Sequence, residues 1–345
     1  MSAERICICG VKVPFVHGGA EMLIESLRAE LTARGCEVDV VTVPFQWPTR
    51  VDLLKGCLAW RLVDLTEAAG KRIDRVIATR FPSYLVKHPK KVVWLVHQLR
   101  QIYDLLGTGY SDFSDQPRDR RVIEMVREMD RRTLGEARAV YGISRNVVER
   151  LRRGNEVEAE VLYPPPRLDY RPGAAGDYVF TIGRLDRLKR VDLLIRAMKH
   201  VAAPLRCRIA GTGPEREALA ELAARLGVAD RVDFLGWVDD REAVELMAGA
   251  GAVFFAPYDE DYGYVTVEAF KAAKPVVTVA DAGGVLEFVE DGVNGFVCAP
   301  DAPRDVAARL DRLFRDRGLA AAFGAAGQAR VRAIGWDQVI AKLTA

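Results

Sequence analysis

Apolar residues along the chain fall into short runs that alternate with amphipathic stretches, a strand-then-helix grammar repeated from end to end. The runs at 5–13, 37–43, 75–79, 92–97 and 139–143 read as buried strands. Leu23, Ile24, Leu27 and Leu31 share one face of a helix that begins after the turn VHGGA, which starts at Val16. Further helices are predicted over 52–70, 118–136 and 145–153, the last with Ser144 as its N-cap. A second series opens with DYVFTIGRL and a helix bearing Val191, Leu194, Ile195 and Met198 on one side. It continues through LRCRIAG, VDFLGWV, AVFFAPY (252–258), PVVTVA and GFVCAP, alternating with helices. Between the series stands YPPPRLDYRPGAAG, whose prolines and glycines interrupt regular structure and mark a linker. The pattern predicts an α/β protein of two doubly wound domains facing each other across a cleft. Their expected spans are 1–166 and 167–327, with a last segment, 328–345, that includes Trp336 and crosses back to the first domain.

Length supports two domains, since 345 residues exceed the ~250–300 at which one core stops growing. A net charge of +2 argues against a nucleic-acid binder, and the charge-rich helix around RDRR and REMDRR reads as a solvated face because its acids and bases alternate. No apolar run approaches the ~18 residues of a membrane span, and the first residues lack the shape of a signal peptide, so a cytoplasmic protein is expected. The six cysteines are scattered, which favours buried reduced thiols over a zinc site or a disulfide framework.

The densest candidate chemistry is DEDYGYVTVE, 259–268, where the AVFFAPY strand gives way to carboxylates, Gly263 and a helix running to Pro275. In an open parallel sheet this is the crevice at the carboxyl ends of the strands, where ligands bind. The helix start, Gly263, Tyr264 and Val265, offers amides to an anion. Glu260 falls in the loop and Glu268 about two turns into the helix, so both can face one ligand. Arg184 and Lys189, separated by LDRL at another strand exit, are either surface ion-pairing groups or a cationic pocket for a diphosphate. Gly18 and Gly19 make a plain tight turn or permit close approach of a ligand. His97 closes its strand at the same kind of edge, and Arg100, Tyr103 and Asp104 follow at helical spacing, facing either a ligand or solvent. Leu53, Leu54, Leu58, Trp60 and Leu62 form a broad apolar face suited to core packing or to docking on a membrane. The GTGP run has Arg216 where a dinucleotide fingerprint needs its third glycine, and no GxxxxGK[ST] occurs, which weighs against nicotinamide and P-loop enzymes.

Glu260, seven intervening residues and Glu268, with a glycine between, resemble the paired-glutamate signature of the family-four retaining glycosyltransferases. GGAEMLIESLRAELTARGCEVDVVT resembles the opening of that family, and 178–189, FLGWV and DAGGVLEFVEDGVNGFV match its later motifs in order. The resemblance spans nearly the whole chain and is strongest over 183–297. It implies the GT-B architecture of two Rossmann-like domains and transfer of a sugar from a nucleoside-diphosphate donor, with retention, to a glycan, lipid-linked or small-molecule acceptor. By the same resemblance Glu268 binds the ribose hydroxyls, Glu260 with the amides of Gly263, Tyr264 and Val265 holds sugar and phosphate, and Arg184 and Lys189 stabilise the leaving diphosphate. Gly18 and Gly19 approach that diphosphate, and His97 contacts the transferred sugar. HQLRQIYDL and EDYGYVTVEAF are similar to segments of bacterial polysaccharide mannosyltransferases, which implies a GDP- or UDP-sugar. No essential metal or cofactor is expected, no nucleic acid is a partner, and peripheral contact with the inner face of a membrane fits a lipid-linked acceptor. An epimerase or phosphorylase on the same scaffold, and a non-catalytic donor-binding regulator, are the alternatives. One departure is Ala273, where the family often ends the helix with glycine; a left-handed alanine costs ~1–2 kcal/mol, so a different turn is expected.

Overall fold

The computed structural model describes residues 3–13, 18–46 and 49–345; Val16 and His17 of the predicted turn lie outside them. The chain divides into two units, Met1–Arg167 with Gly335–Ala345, and Leu168–Ile334.

In the first unit the elements run β1 (Arg5–Lys12), α1 (Gly19–Ala33), β2 (Glu37–Pro44), α2 (Arg50–Leu62), β3 (Glu67–Ala68), β4 (Lys71–Arg72), β5 (Arg75–Ala78), β6 (Lys91–Leu95), α3 (Pro117–Leu134), β7 (Ala139–Gly142), α4 (Arg145–Asn155) and β8 (Glu160–Val161). Six strands pair in parallel in the order β2-β1-β5-β6-β7-β8, while β3 and β4 make a separate antiparallel hairpin. Both faces of such a sheet are covered, which is why β1, β5 and β6 carry nearly unbroken apolar runs. The helix expected over 52–70 stops at Leu62: the Asp64 carboxylate accepts from the Thr66 amide at 2.9 Å, and a hairpin with Ala69 and Gly70 in the left-handed region follows. On α2 the expected apolar face divides. Leu53, Cys57 and Trp60 are buried, whereas Val51, Leu58 and Leu62 are 53%, 57% and 73% exposed. Lys91, fully buried, is satisfied by the carbonyls of Tyr84, Val86 and Thr133 at 2.8–3.1 Å, and burial pushes its ammonium down to about 8.

The second unit runs β9 (Tyr178–Ile182), α5 (Val191–Met198), β10 (Arg206–Ala210), α6 (Arg216–Arg225), β11 (Val232–Gly236), α7 (Asp240–Gly249), β12 (Ala252–Phe254), α8 (Tyr264–Lys271), β13 (Val276–Val279), β14 (Gly295–Cys298), α9 (Pro303–Arg315) and α10 (Arg317–Val331). Its sheet is parallel, in the order β11-β10-β9-β12-β13-β14. Strand order therefore reverses between β9 and β12, the place where doubly wound sheets bind ligands. β12 is shorter than the apolar run 252–258. Pro257 has no amide to give the ladder, and the Tyr258 amide turns to the Leu188 carbonyl at 2.8 Å.

Because α10 extends to Val331, residues 328–334 stay with the second unit, and the return begins later than the sequence pattern suggests. Helix α11 (Trp336–Thr344) then joins the first unit. Trp336 meets Trp94 edge-on at 6.1 Å, and the buried Arg75 guanidinium donates to the last carbonyls, those of Leu343, Thr344 and Ala345, at 2.7–3.2 Å. The turn after α8 is a further correction. Ala273 is left-handed, with φ of 53°, and the amides of Ala273 and Lys274 return to Phe270 and Ala269 at 3.0 and 2.8 Å, closing a Schellman motif. Among the described residues no helix is long and apolar enough to cross a membrane.

Candidate active site

Two loops meet where strand order reverses in the second unit. The loop leaving β9 extends the ladder, with the Leu185 amide bonding the Thr212 carbonyl at 2.9 Å. A Cβ on Gly211 would lie 1.9 Å from the Gly183 oxygen, and one on Gly213 would lie 2.3 Å from the Leu185 oxygen. The GTGP glycines thus make room for the neighbouring loop's backbone. Asp186 then caps a single 3-10 turn by accepting from the Lys189 amide at 3.2 Å, fixing where the Lys189 side chain departs.

The loop leaving β12 carries the carboxylates. Its backbone is sewn to the loop leaving β13: Asp259 and Glu260 donate to the Asp281 and Ala282 carbonyls at 2.9 and 3.1 Å, and the Gly284 amide donates to the Glu260 carbonyl at 2.7 Å. Gly283 and Gly284 allow this contact, since a Cβ on either would come within 2.6 Å of that acidic loop's backbone. Held there, Glu260 accepts from Lys189 at 2.6 Å, with both side chains about four-fifths buried. Gly263, with φ of 85°, is the N-cap of α8 and has no side chain to bond the helix's first amides. Glu268 is half-buried on α8, one turn beyond Tyr264. Burial and the Glu268 charge push the Tyr264 hydroxyl well above its ordinary range. Arg184 stands apart from the pair, half-exposed and 3.9 Å from Asp186.

In the first unit Gly18 is the extended N-cap of α1 and Gly19 its first residue. Nearby, Arg80 bridges Glu21 and the Val11 carbonyl at 2.5 Å. The His97 ring lies at the carboxyl end of the sheet with Nδ1 2.7 Å from the Gln98 carbonyl. Arg100, Tyr103 and Asp104 do not share a helical face, because only a 3-10 turn, Arg100–Ile102, forms there. Asp104 pairs with Arg100 at 2.6 Å and with Arg150 at 3.3 Å. The Tyr103 hydroxyl turns inward, donating to Asp130 and accepting from Asn155, each at 2.7 Å. These groups therefore brace the loop that follows β6. A cavity of about 520 Å3 opens just beyond, between that loop and the start of α3, lined by Leu106, Phe113, Arg120, Ile123, Glu124 and Arg127.

Residues 173–330 match the family described as glycosyl transferases group 1. A D-inositol 3-phosphate glycosyltransferase of Streptomyces scabiei is 30% identical, over 93% of this chain and 84% of its own. The chain belongs to the group 1 glycosyl transferases. Alpha-1,3/1,6-mannosyltransferase ALG2 of Homo sapiens is 26% identical over 95% of this chain and 93% of its own. Among solved structures, Anabaena HepE in complex with UDP-glucose superposes with a TM-score of 0.74 at 19% identity, over 98% of each chain. The protein is thus a glycosyltransferase with two Rossmann-like halves, the GT-B architecture.

Two features of this glycosyltransferase are not readable from its motifs. Arg190, just past Lys189, adopts φ of 49° and forks onto Asp281, a partner 91 positions away that no spacing rule reaches. Trp237, quoted in FLGWV only as a motif, is 76% exposed where β11 ends, an aromatic face able to stack a flat ring. Among the described residues of the transferase, no three His, Cys, Asp or Glu side chains gather as a metal site.

Proposed function

We propose that this glycosyltransferase moves a hexosyl group from a UDP- or GDP-sugar to a hydroxyl of a glycan, lipid-linked or small-molecule acceptor, with retention of anomeric configuration. The observation that carries the reading is the Lys189–Glu260 pair at the strand-order reversal, beside the uncapped start of α8. Breaking a sugar–phosphate bond develops charge on the leaving diphosphate. Lys189, Arg184 and the amides of Gly263, Tyr264 and Val265 neutralise that charge, and Glu260 orients Lys189 and holds the sugar. Glu268 accepts from the ribose hydroxyls. Gly18 and Gly19 come close to the diphosphate, and His97 contacts the sugar. The acceptor hydroxyl attacks from the face that the phosphate leaves, and the phosphate takes its proton, while the cations and amides supply the positive charge that a metal would otherwise bring. UDP-glucose in the HepE complex and mannosyl transfer by the human relative support a nucleotide-activated hexose. The cavity beside Phe113 and Arg127 suits part of the acceptor, and the exposed Val51, Leu58 and Leu62 of α2 suit a membrane carrying a lipid-linked one.

Thermal-shift measurements against UDP- and GDP-sugars test the reading, because a ligand that binds only the folded state raises its transition. Stabilisation by one nucleotide sugar, followed by release of its diphosphate when acceptor is added, is expected. No shift with any of them would overturn it.

A further inference from the structure

We propose that Arg190 is a positioning residue of the donor site, holding the acidic loop at the height where Glu260 meets Lys189. This inference rests on the donor-site reading above. Every nitrogen of the Arg190 guanidinium is used. Nε donates to the Ala256 carbonyl at 2.8 Å, Nη2 to the Pro257 carbonyl at 2.7 Å, and Nη1 and Nη2 together to the Asp281 carboxylate at 3.0 and 2.7 Å. One side chain thus ties the loop after β9 to those after β12 and β13, the loops that carry Lys189, Glu260 and the glycine pair. Tyr258 reinforces the tie, since its amide donates to the Leu188 carbonyl at 2.8 Å and its ring lies 5.8 Å beneath the guanidinium.

The backbone makes the assignment specific. Arg190 is left-handed, with φ of 49° and ψ of 40°, a conformation glycine takes without penalty and a residue with a Cβ does not. The local turn asks only for glycine, so an arginine there is explained by what its side chain reaches. A planar fork suits two carbonyls and a carboxylate at once, which an ammonium cannot match. Without the fork, Glu260 keeps its backbone bonds to Ala282 and Gly284, but the segment Ala256–Pro257 that delivers it loses its anchor.

The test is calorimetric binding of UDP and GDP, with uridine and guanosine as controls, to the full chain and to Lys189→Ala, Arg190→Gly and their double variant. Arg190→Gly relieves the backbone, which separates loss of the tie from loss of folding. Diphosphate affinity is expected to fall about tenfold in Arg190→Gly with nucleoside affinity within about twofold, and the double variant is expected to bind no more weakly than Lys189→Ala. Asp281→Asn, which removes only the carboxylate arm, is expected to lose about threefold. If Lys189→Ala weakens diphosphate binding while Arg190→Gly does not, or if the two losses multiply, the positioning role is overturned and the donor site stands. If Lys189→Ala leaves diphosphate binding intact, the donor-site reading falls and the positioning role with it.

Discussion

The Lys189 ammonium lies 2.6 Å from the Glu260 carboxylate, across 71 positions of sequence. A pair so placed partly cancels itself, so neither charge is a full attractor or repeller of a bound diphosphate. Replacing Glu260 with glutamine keeps the shape and frees the cation. Glu260→Gln is expected to bind nucleoside diphosphate at least as tightly as the parent while turnover falls by about 10²–10³. Lys189→Ala is expected to lose turnover on the same scale with nucleoside binding unchanged. Turnover of Glu260→Gln within about threefold of wild type would remove Glu260 from the chemistry.

Asp259 and Asp261 bracket Glu260 in a pattern that invites a divalent ion. Lys189, Arg184 and the α8 N-terminus offer the same positive charge, and two carboxylates alone are a thin anchor for magnesium. Transfer is expected to persist in excess EDTA, with Asp259→Asn and Asp261→Asn milder than Glu260→Gln. Activity abolished by chelation and restored by magnesium or manganese would make the two aspartates ligands.

Asp130 is buried beneath Tyr103, and desolvation raises its carboxyl from near 3.8 to about 7. A raised pKa in an acid means that the unfolded chain ionises first. The contribution of Asp130 to stability is therefore full below pH ~4, falls as pH climbs to ~7, and is level beyond. Asp130→Asn keeps an acceptor for the Tyr103 hydroxyl without the charge. Its melting temperature is expected to exceed that of the parent by roughly 3–6 °C at pH 8 and to match it near pH 4. A constant offset at both pH values would show that Asp130 is not the titrating group.

Ala273 carries the left-handed cap of α8. Ala273→Gly is expected to stabilise the second unit by about 0.5–1 kcal/mol, because the relief of the Cβ clash outweighs the added freedom of the unfolded chain. Thermal unfolding reads this directly, and a lower transition would mean that the alanine methyl packs more favourably than the turn is strained.

The fold was largely legible because strands buried on both faces leave unbroken apolar runs, as in VVWL and PVVTV. Lys189 and Glu260 were legible as charged residues at strand exits, and the structure pairs them. Tyr103 was not, since a polar aromatic reads alike whether its hydroxyl meets solvent or a buried aspartate. The end of α2 was missed because Asp64 diverts the backbone by a side-chain bond that leaves no mark on periodicity. Gly283 and Gly284 looked like a motif of their own; their meaning is the backbone of Glu260 pressed against them, a contact defined by two loops together.

The hold of Arg75 on the end of α11 bears on how the molecule is made. Arg75 emerges from the ribosome early, yet the carbonyls that satisfy its buried guanidinium are those of residues 343–345. The second unit, a continuous segment, completes its own sequence first and is free to fold as it emerges. The first cannot cover Trp94 with Trp336 until residues 335–345 have been made. Vectorial translation thus reverses the order in which the two halves finish. Residues 1–167 expressed alone would keep Trp94 uncovered, whereas the same segment supplied with 335–345 as a separate peptide would be able to cover it.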